Sequence, residues 1–428
     1  MKGNGRLKVS RILAAVVLTA CAASVAMAGS GESELLARMH EIFAKSAAHY
    51  KALDAAATSL AESDDDLHEG AETTRLQFPH GFNRGTGKLV MRSIYWWTSG
   101  HYPGTLWHLY DATSDVYFKD RALFWTERLA PNQKANTNHD LGFIMMCSFG
   151  NARRLMQTKK YDDILRTAAK TLCGRYHDGL GLVRSWGAVN DADGFLVIPD
   201  SLMNLELLEW AGKDGFSRAV TIARSHADRM MMNHFRQDGG AYHVLNYDQR
   251  TGRVKEIRQG QGASCLTVWS RGQSWAIYGY TMMHRETRDP AYLAFAQRVA
   301  DYAINNPTMP ADGIPYWDYG APGEERDSSA GACMASALLE LSRFVGGEKG
   351  KAYRAFAVKQ LLSLASPDYF SEGDEIGHFL LKHGVGHKPG GREIDTPLDY
   401  GDYYFLEALL RLKGAVDKGK DLRPAEGR

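Results

Sequence analysis

The chain has 428 residues, of which 44% are hydrophobic, 24% charged and 11% aromatic, and its formal net charge is +1. That is ample for a large core and sits near the average of soluble globular proteins. No basic stripe runs through it, which argues against a nucleic-acid binder.

Residues 1–28 read as an export signal. Lys2, Arg6, Lys8 and Arg11 precede an apolar run over 12–28, which ends in Ala26-Met27-Ala28 before Gly29. Leu18-Thr19-Ala20-Cys21 also fits a lipoprotein signal, with Cys21 as the anchor. The residues after Cys21 stay apolar (Ala22, Ala23, Val25, Ala26, Met27), which favours cleavage after Ala28. Without the four basic residues the net charge falls from +1 to −3. No later run is apolar for long enough to span a bilayer. The expectation is an exported, periplasmic protein with one domain over 29–428. Cys147, Cys173, Cys265 and Cys333 are widely spaced, with no C-x-x-C pair, so a zinc site is not expected. Three of them fall in apolar helical runs, where buried free thiols are expected.

The rest of the chain repeats loosely. After a first helix over about 33–60, helix-like runs cover 104–115, 141–157, 202–212, 269–288 and 331–347, and a last run covers 403–412. Most place apolar residues at i, i+3, i+4 and i+7. A second helix follows each middle run, opened by an aromatic residue after a polar turn: Tyr117, Tyr161, Phe216, Tyr292 and Tyr353. Helix pairs at this spacing predict an all-α solenoid or ring. Six pairs closing on themselves form an (α/α)6 barrel with a funnel at one end; an open solenoid is the alternative. In the longest gap, alternation on both sides of Asp248-Gln249-Arg250-Thr251-Gly252 predicts a small inserted β-hairpin.

Two helix mouths carry aspartates: Asn138-His139-Asp140-Leu141-Gly142-Phe143 and Pro199-Asp200-Ser201-Leu202-Met203-Asn204. Asn138 reads as a cap with Asp140 in the first turn, and Asp200 reads as a cap after Pro199. A lone aspartate in such a place caps a helix more often than it catalyses. Two of them opening successive inner helices would meet at the same end of a ring. Paired carboxylates among aromatic residues are the usual apparatus for acid/base chemistry on sugars. Trp96-Trp97 before a helix is either a core staple or a sugar platform. In Trp269-Ser270-Arg271-Gly272-Gln273-Ser274-Trp275, Arg271 and Trp275 share a helix face, where a packed cation–π pair is the plain reading. Trp186, His243 and Gln261, taken singly, read as ordinary structural residues. His383 and His387 are separated by glycines, which makes a helical metal pair improbable.

Taken together in chain order, these motifs resemble the unsaturated glucuronyl hydrolases, glycoside hydrolase family 88. The likeness rests on Trp97-Thr98-Ser99-Gly100, the Asp140 and Asp200 motifs, the Trp269–Trp275 run and Tyr400-Gly401-Asp402-Tyr403-Tyr404. It covers roughly residues 90 to 412 and is specific only jointly. The resemblance implies an (α/α)6 barrel that uses no metal or cofactor. Its implied substrates are oligosaccharides from polysaccharide lyases, ended by a 4,5-unsaturated uronic acid: chondroitin, hyaluronan or heparin fragments. The implied reaction is hydration of the vinyl ether. Asp200 would be the general acid and base, with Asp140 beside it. His139, Trp186, His243, Gln261, Arg271 and Trp275 would line the substrate pocket, with Trp97 and Trp269. Unsaturated rhamnogalacturonyl hydrolases are the rival enzyme reading, and a non-catalytic helical-repeat glycan-binding protein is the rival of another class. In the loop over 382–392, the charges of Lys388 and Arg392 suit a sulfate on the neighbouring sugar.

Overall fold

The computed structural model describes residues 5–62, 77–137 and 139–417, with side chains within 29–414. The side chains of residues 1–28, where the sequence predicts an export signal, therefore lie outside the described residues, and so does Asn138. No helix among the described residues is long and apolar enough to cross a membrane.

The helices are α1 (Gly5–Glu62), α2 (His101–Thr113), α3 (Val116–Arg128), α4 (Leu141–Met145), α5 (Asn151–Met156), α6 (Asp162–Cys173), α7 (Leu205–Lys213), α8 (Ser217–Asn233), α9 (Ser270–Thr287), α10 (Pro290–Ile304), α11 (Ser328–Phe344), α12 (Gly347–Leu364) and α13 (Asp399–Asp417). A π turn, Met146–Gly150, makes α4 and α5 one inner helix, and a 3-10 turn, Pro199–Asn204, leads into α7. Inner helices pack side to side in the order α2, α4, α7, α9, α11, α13, and α13 returns to α2. Helices α3, α6, α8, α10, α12 and α1 form the outer layer. The chain is thus an (α/α)6 barrel, and the α13–α2 contact rules out an open solenoid.

The two ends of the barrel differ. At one end, inner helices pass to outer ones through the short turns 114–115, 157–161, 214–216, 288–289 and 345–346. Here the polar residues read from the sequence act as caps: Asp115 accepts from the Tyr117 N–H at 3.0 Å and Asp289 from the Ala291 N–H at 2.8 Å. At the other end, outer helices return through long segments over 129–140, 174–198, 234–269, 305–327 and 365–398. These segments crowd around the N-termini of the inner helices.

The small sheets all lie in the long connections. Strands β1 (Gln77–Asn83) and β2 (Lys88–Ser93) pair before α2, and β3 (Tyr176–His177) pairs with β4 (Leu182–Val183). The expected hairpin is present as β6 (Val244–Tyr247) and β7 (Val254–Arg258), and β5 (Leu196–Val197) adds a third strand beside β6. Cys147, Cys173, Cys265 and Cys333 are free thiols, with Cys147 and Cys333 buried and Cys173 half-buried.

The first contact that matters for chemistry lies between α4 and the turn before α7. A side-chain carbon at Gly142 would sit 2.3 Å from the Asn204 Cα, so only glycine lets the two backbones meet. Asn204 closes the joint, accepting from the Phe143 N–H at 2.9 Å and donating to the Asp200 carbonyl at 3.2 Å. Gly142→Ala is expected to push these backbones apart. Urea unfolding should show a loss of about 1–3 kcal/mol, the usual range for overpacking, or more because the opposing atoms are main chain.

Candidate active site

The joint between Gly142 and Asn204 brings Asp140 and Asp200 to the end of the barrel that carries the long connections. Both helix starts differ from the sequence expectation. Asp140 is itself the residue before α4, with φ −77 and ψ 12, yet its carboxylate makes no capping hydrogen bond to the helix. Asp200 is not a cap: Ile198, in extended conformation, starts the turn, and Pro199 places Asp200 second within it. The capping explanation for either acid therefore falls away. Both residues are 7% exposed.

Burial raises both proton affinities. Asp140 is pushed up to about 8, first by burial and then by the charge of Asp200, with Arg175 pulling the other way. Asp200 is pushed up to about 7 by burial, against the lowering field of Arg271. Two acids in one dry site titrate as a pair, so one proton is retained near neutrality. The Asp200 Oδ2 is buried and makes no hydrogen bond within the protein. His139 Nε2 lies 3.4 Å from Asp140 Oδ1, and His243 Nε2 lies 3.9 Å from Asp200 Oδ2. Burial holds both imidazoles neutral, with His243 lowered to about 3. The Gln261 backbone N–H donates to His243 Nδ1 at 2.8 Å. A neutral ring that accepts there must carry its proton on Nε2, facing Asp200.

The remaining expected residues are joined through ring contacts. Trp269 lies 4.3 Å from His243 between ring centres, and Trp186 lies 6.0 Å from it. Trp97 packs on Tyr400 at 4.8 Å and on Phe143 at 5.5 Å. Trp97, Trp186 and Gln261 are half-buried. Gln261 Nε2 donates to the Gly386 carbonyl at 3.1 Å, tying this wall to the 382–392 loop.

Two placements correct the expectation. Arg271 does not stack on Trp275; its guanidinium lies 4.5 Å from the centre of Trp269 and 5.2 Å from that of Tyr400. It is fully buried, donating to Asp327 at 2.8 Å and to the Val385 and Gly386 carbonyls. Arg271 thus anchors the loop, and its charge reaches Asp200 through space. Trp275 is also fully buried, between Phe143 and Tyr404 at 5.2 Å each, beneath the site. Lys388 is held by Glu324 and Glu325, which neutralise the charge that suited a sulfate.

Some residues that shape the site were not singled out in the sequence. Arg175 is buried with its guanidinium on the carbonyls of Asn136, Arg184, Ser185 and Gly187, and it is the cation that acts on Asp140. Asp327 caps α11 while pairing with Arg271. Asp-Ser-Ser before an apolar helix is a readable cap signal, although nothing local announces its ion pair. His80, fully inside, bridges Glu393 at 2.9 Å and Asp399 at 3.2 Å under Trp96 and Tyr400. Among the described residues, no group of three or more His, Cys, Asp or Glu side chains is arranged to hold a metal ion.

No protein-family model matches the chain. Among curated proteins, it is 40% identical over 327 residues to an unsaturated glucuronyl hydrolase of Formosa agariphila, covering 75% of this chain and 81% of that one. It is 32% identical over 326 residues to an unsaturated chondroitin disaccharide hydrolase of Streptococcus pyogenes serotype M1, covering 74% and 80%. Its fold superposes on an unsaturated glucuronyl hydrolase specific for heparin with a TM-score of 0.77 at 37% identity, over 89% of this chain and 99% of that one. A shared ring of helices and identity at this level across three quarters of the sequence place the chain in the unsaturated glucuronyl hydrolase family.

Proposed function

We propose that this hydrolase removes the 4,5-unsaturated uronic acid from the non-reducing end of lyase-generated glycosaminoglycan oligosaccharides, by hydrating the vinyl ether. The observation that carries the reading is the buried acid pair, which keeps a proton near neutrality with Asp200 Oδ2 uncommitted to any protein donor. Asp200 donates that proton to C4 of the unsaturated ring. Positive charge develops at C5 and on the ring oxygen, and the carboxylate left behind takes a proton from water as it adds to C5. The resulting hemiketal opens to a ketone. The hemiacetal unmasked at C1 then expels the remaining sugar and leaves an aldehyde. His243 offers an N–H beside Asp200, oriented to hold the water or a ring hydroxyl. Trp97 and Trp186 supply aromatic faces for the sugars, while Trp269 is taken up by His243 and Arg271.

The test follows the ultraviolet absorbance of the C4=C5 bond with unsaturated disaccharides from chondroitin, hyaluronan and heparin. Loss of absorbance with equimolar release of the second sugar is expected on at least one of them. Binding without any loss would end the enzymatic reading and leave a glycan-binding protein.

The acid pair also fixes the pH dependence. The acid works protonated, so kcat/KM should fall as pH rises through about 7 to 8. The two charges oppose each other once both acids ionise, as the charge of Asp200 does at Asp140, and Asp140→Asn removes that opposition to loss of the last proton. The alkaline limb should therefore move to lower pH by about 1 pH unit, with kcat reduced about 100-fold. A limb that stays in place would separate Asp140 from the proton held by Asp200.

A further inference from the structure

The wall that holds His243 is itself held from outside the site. His243 receives the Gln261 N–H, and the Gly260 backbone lies so close to the ring that a side-chain carbon there would sit 2.2 Å from His243 Nδ1. Two residues beyond Gln261, the Ala263 N–H donates to Asp318 Oδ2 at 2.9 Å. The Thr267 hydroxyl donates to the same oxygen at 2.9 Å, and the Gly320 N–H to Oδ1 at 2.7 Å. Around it, main-chain bonds from Tyr319 to Val268 and from Ser270 to Trp317 lay the 317–319 segment along Trp269. Trp269 is the ring that covers His243. Asp318 is fully buried and touches neither acid, yet it fixes both the loop that sets the proton on His243 and the segment that supports Trp269.

We propose that Asp318 is a positioning residue for the hydration reaction. It acts through the 259–267 loop to hold His243 with its Nε2–H facing Asp200. The assignment rests on the functional reading above. Its physical basis is donor counting. A carboxylate can accept from Ala263, Thr267 and Gly320 together, whereas the amide of Asp318→Asn turns two N–H donors toward one of these groups and loses that bond. The loop then shifts, and the Gln261 N–H no longer dictates which ring nitrogen carries the proton. Misplacement of about 1 Å at a reacting group lowers turnover about 100-fold.

The test is a double-mutant cycle on the unsaturated disaccharide, with thermal unfolding of every variant. Asp318→Asn is expected to lower kcat roughly 10- to 100-fold in the wild-type background, with a smaller change in KM. In the His243→Gln background the same change should have little further effect, because the group it acts through is gone. Thr267→Val removes one donor to the same oxygen and should give a smaller loss in the same direction. It remains readable if Asp318→Asn unfolds. Equal fold-losses in both backgrounds would overturn the proposal, since general destabilisation gives that result. Histidine ring nitrogen shifts, assigned against His243→Gln, decide the matter even if that variant has no measurable turnover. Wild type should show a neutral ring protonated at Nε2, and Asp318→Asn or Thr267→Val a mixed or reversed tautomer. An unchanged tautomer would sink the idea. A wild-type enzyme that bleaches no disaccharide would strike the functional reading and leave the tautomer measurement standing.

Discussion

Asp200→Asn is expected to abolish measurable turnover while raising thermal stability at alkaline pH. The amide has no proton to give to C4 and cannot take one from the incoming water, so both halves of the acid/base cycle stop. Each proton transfer by a placed side chain contributes about 10²- to 10⁴-fold, which puts the combined loss at no less than about 10³-fold. The stability effect follows from the same burial. A carboxyl lifted from its ordinary value to about 7 in the folded chain favours folding fully below about pH 4, and this contribution is lost as pH rises through 7. Above that the folded protein carries an ill-solvated charge, and Asn removes it. The gain should be on the order of 1–4 kcal/mol at pH 8, from about 1.4 kcal/mol for each tenfold change in proton affinity and with allowance for the shared proton. Melting curves at about pH 5 and pH 8 read it directly, with the variant ahead of wild type only at the higher pH. Retained turnover would remove Asp200 from the reaction.

Arg271→Met is expected to have the largest effect on the scaffold. The side chain has no exposure to solvent, and its loss strands Asp327 and the Val385 and Gly386 carbonyls without their cation. Breaking a buried pair by removing one partner costs about 3–5 kcal/mol, because the surviving charge stays buried. Lysine does not rescue, since a point charge cannot serve a carboxylate and two carbonyls with the planar fork of a guanidinium. The catalytic consequence has the opposite sign to that of Asp140→Asn. Arg271 lowers the proton affinity of Asp200, so its removal should shift the alkaline limb to higher pH in whatever folded fraction remains. Chemical unfolding and a pH profile on one preparation check both statements. A limb moving downward would show that Arg271 does not act on Asp200 through space.

How much of this was legible in the sequence depended on how local each cause is. The helix pairs were readable because apolar periodicity and the aromatic openings at Tyr117, Tyr292 and Tyr353 are short-range signals, but whether they form a ring or an open solenoid rests on α13 meeting α2, which no local signal carries. The acids were visible as motifs, but their state was not: whether Asp140 caps or catalyses is decided by Gly142 meeting Asn204, a contact between separate helices. Arg271 and Trp275 share a helix face as their spacing requires, yet neighbouring chain segments take the guanidinium to Trp269 and Tyr400. Arg175 gave no signal because its partners are main-chain carbonyls, which any sequence supplies. Strands β3, β4 and β5 went unread because they are two-residue pairings set by the loops that carry them, and the longer β1–β2 pair also went unread.

The seam of the ring bears on how such a chain is made. Tyr50 on α1 donates to Asp402 on α13 at 2.9 Å across 352 residues, and α13 closes against α2. A nascent chain emerging from the ribosome would pack α1, α2 and α3 on one another, but the sides of α1 and α2 that meet α12 and α13 would lack those partners until nearly all of it had been translated. Contacts of such sequence separation slow folding and lengthen the time an aggregation-prone intermediate survives. The short turns 157–161 and 214–216 break no such contact, so new termini opened there, with the old ends joined, would move the seam and change which half of the barrel waits. Folding rate and chaperone demand would then become adjustable independently of the catalytic floor.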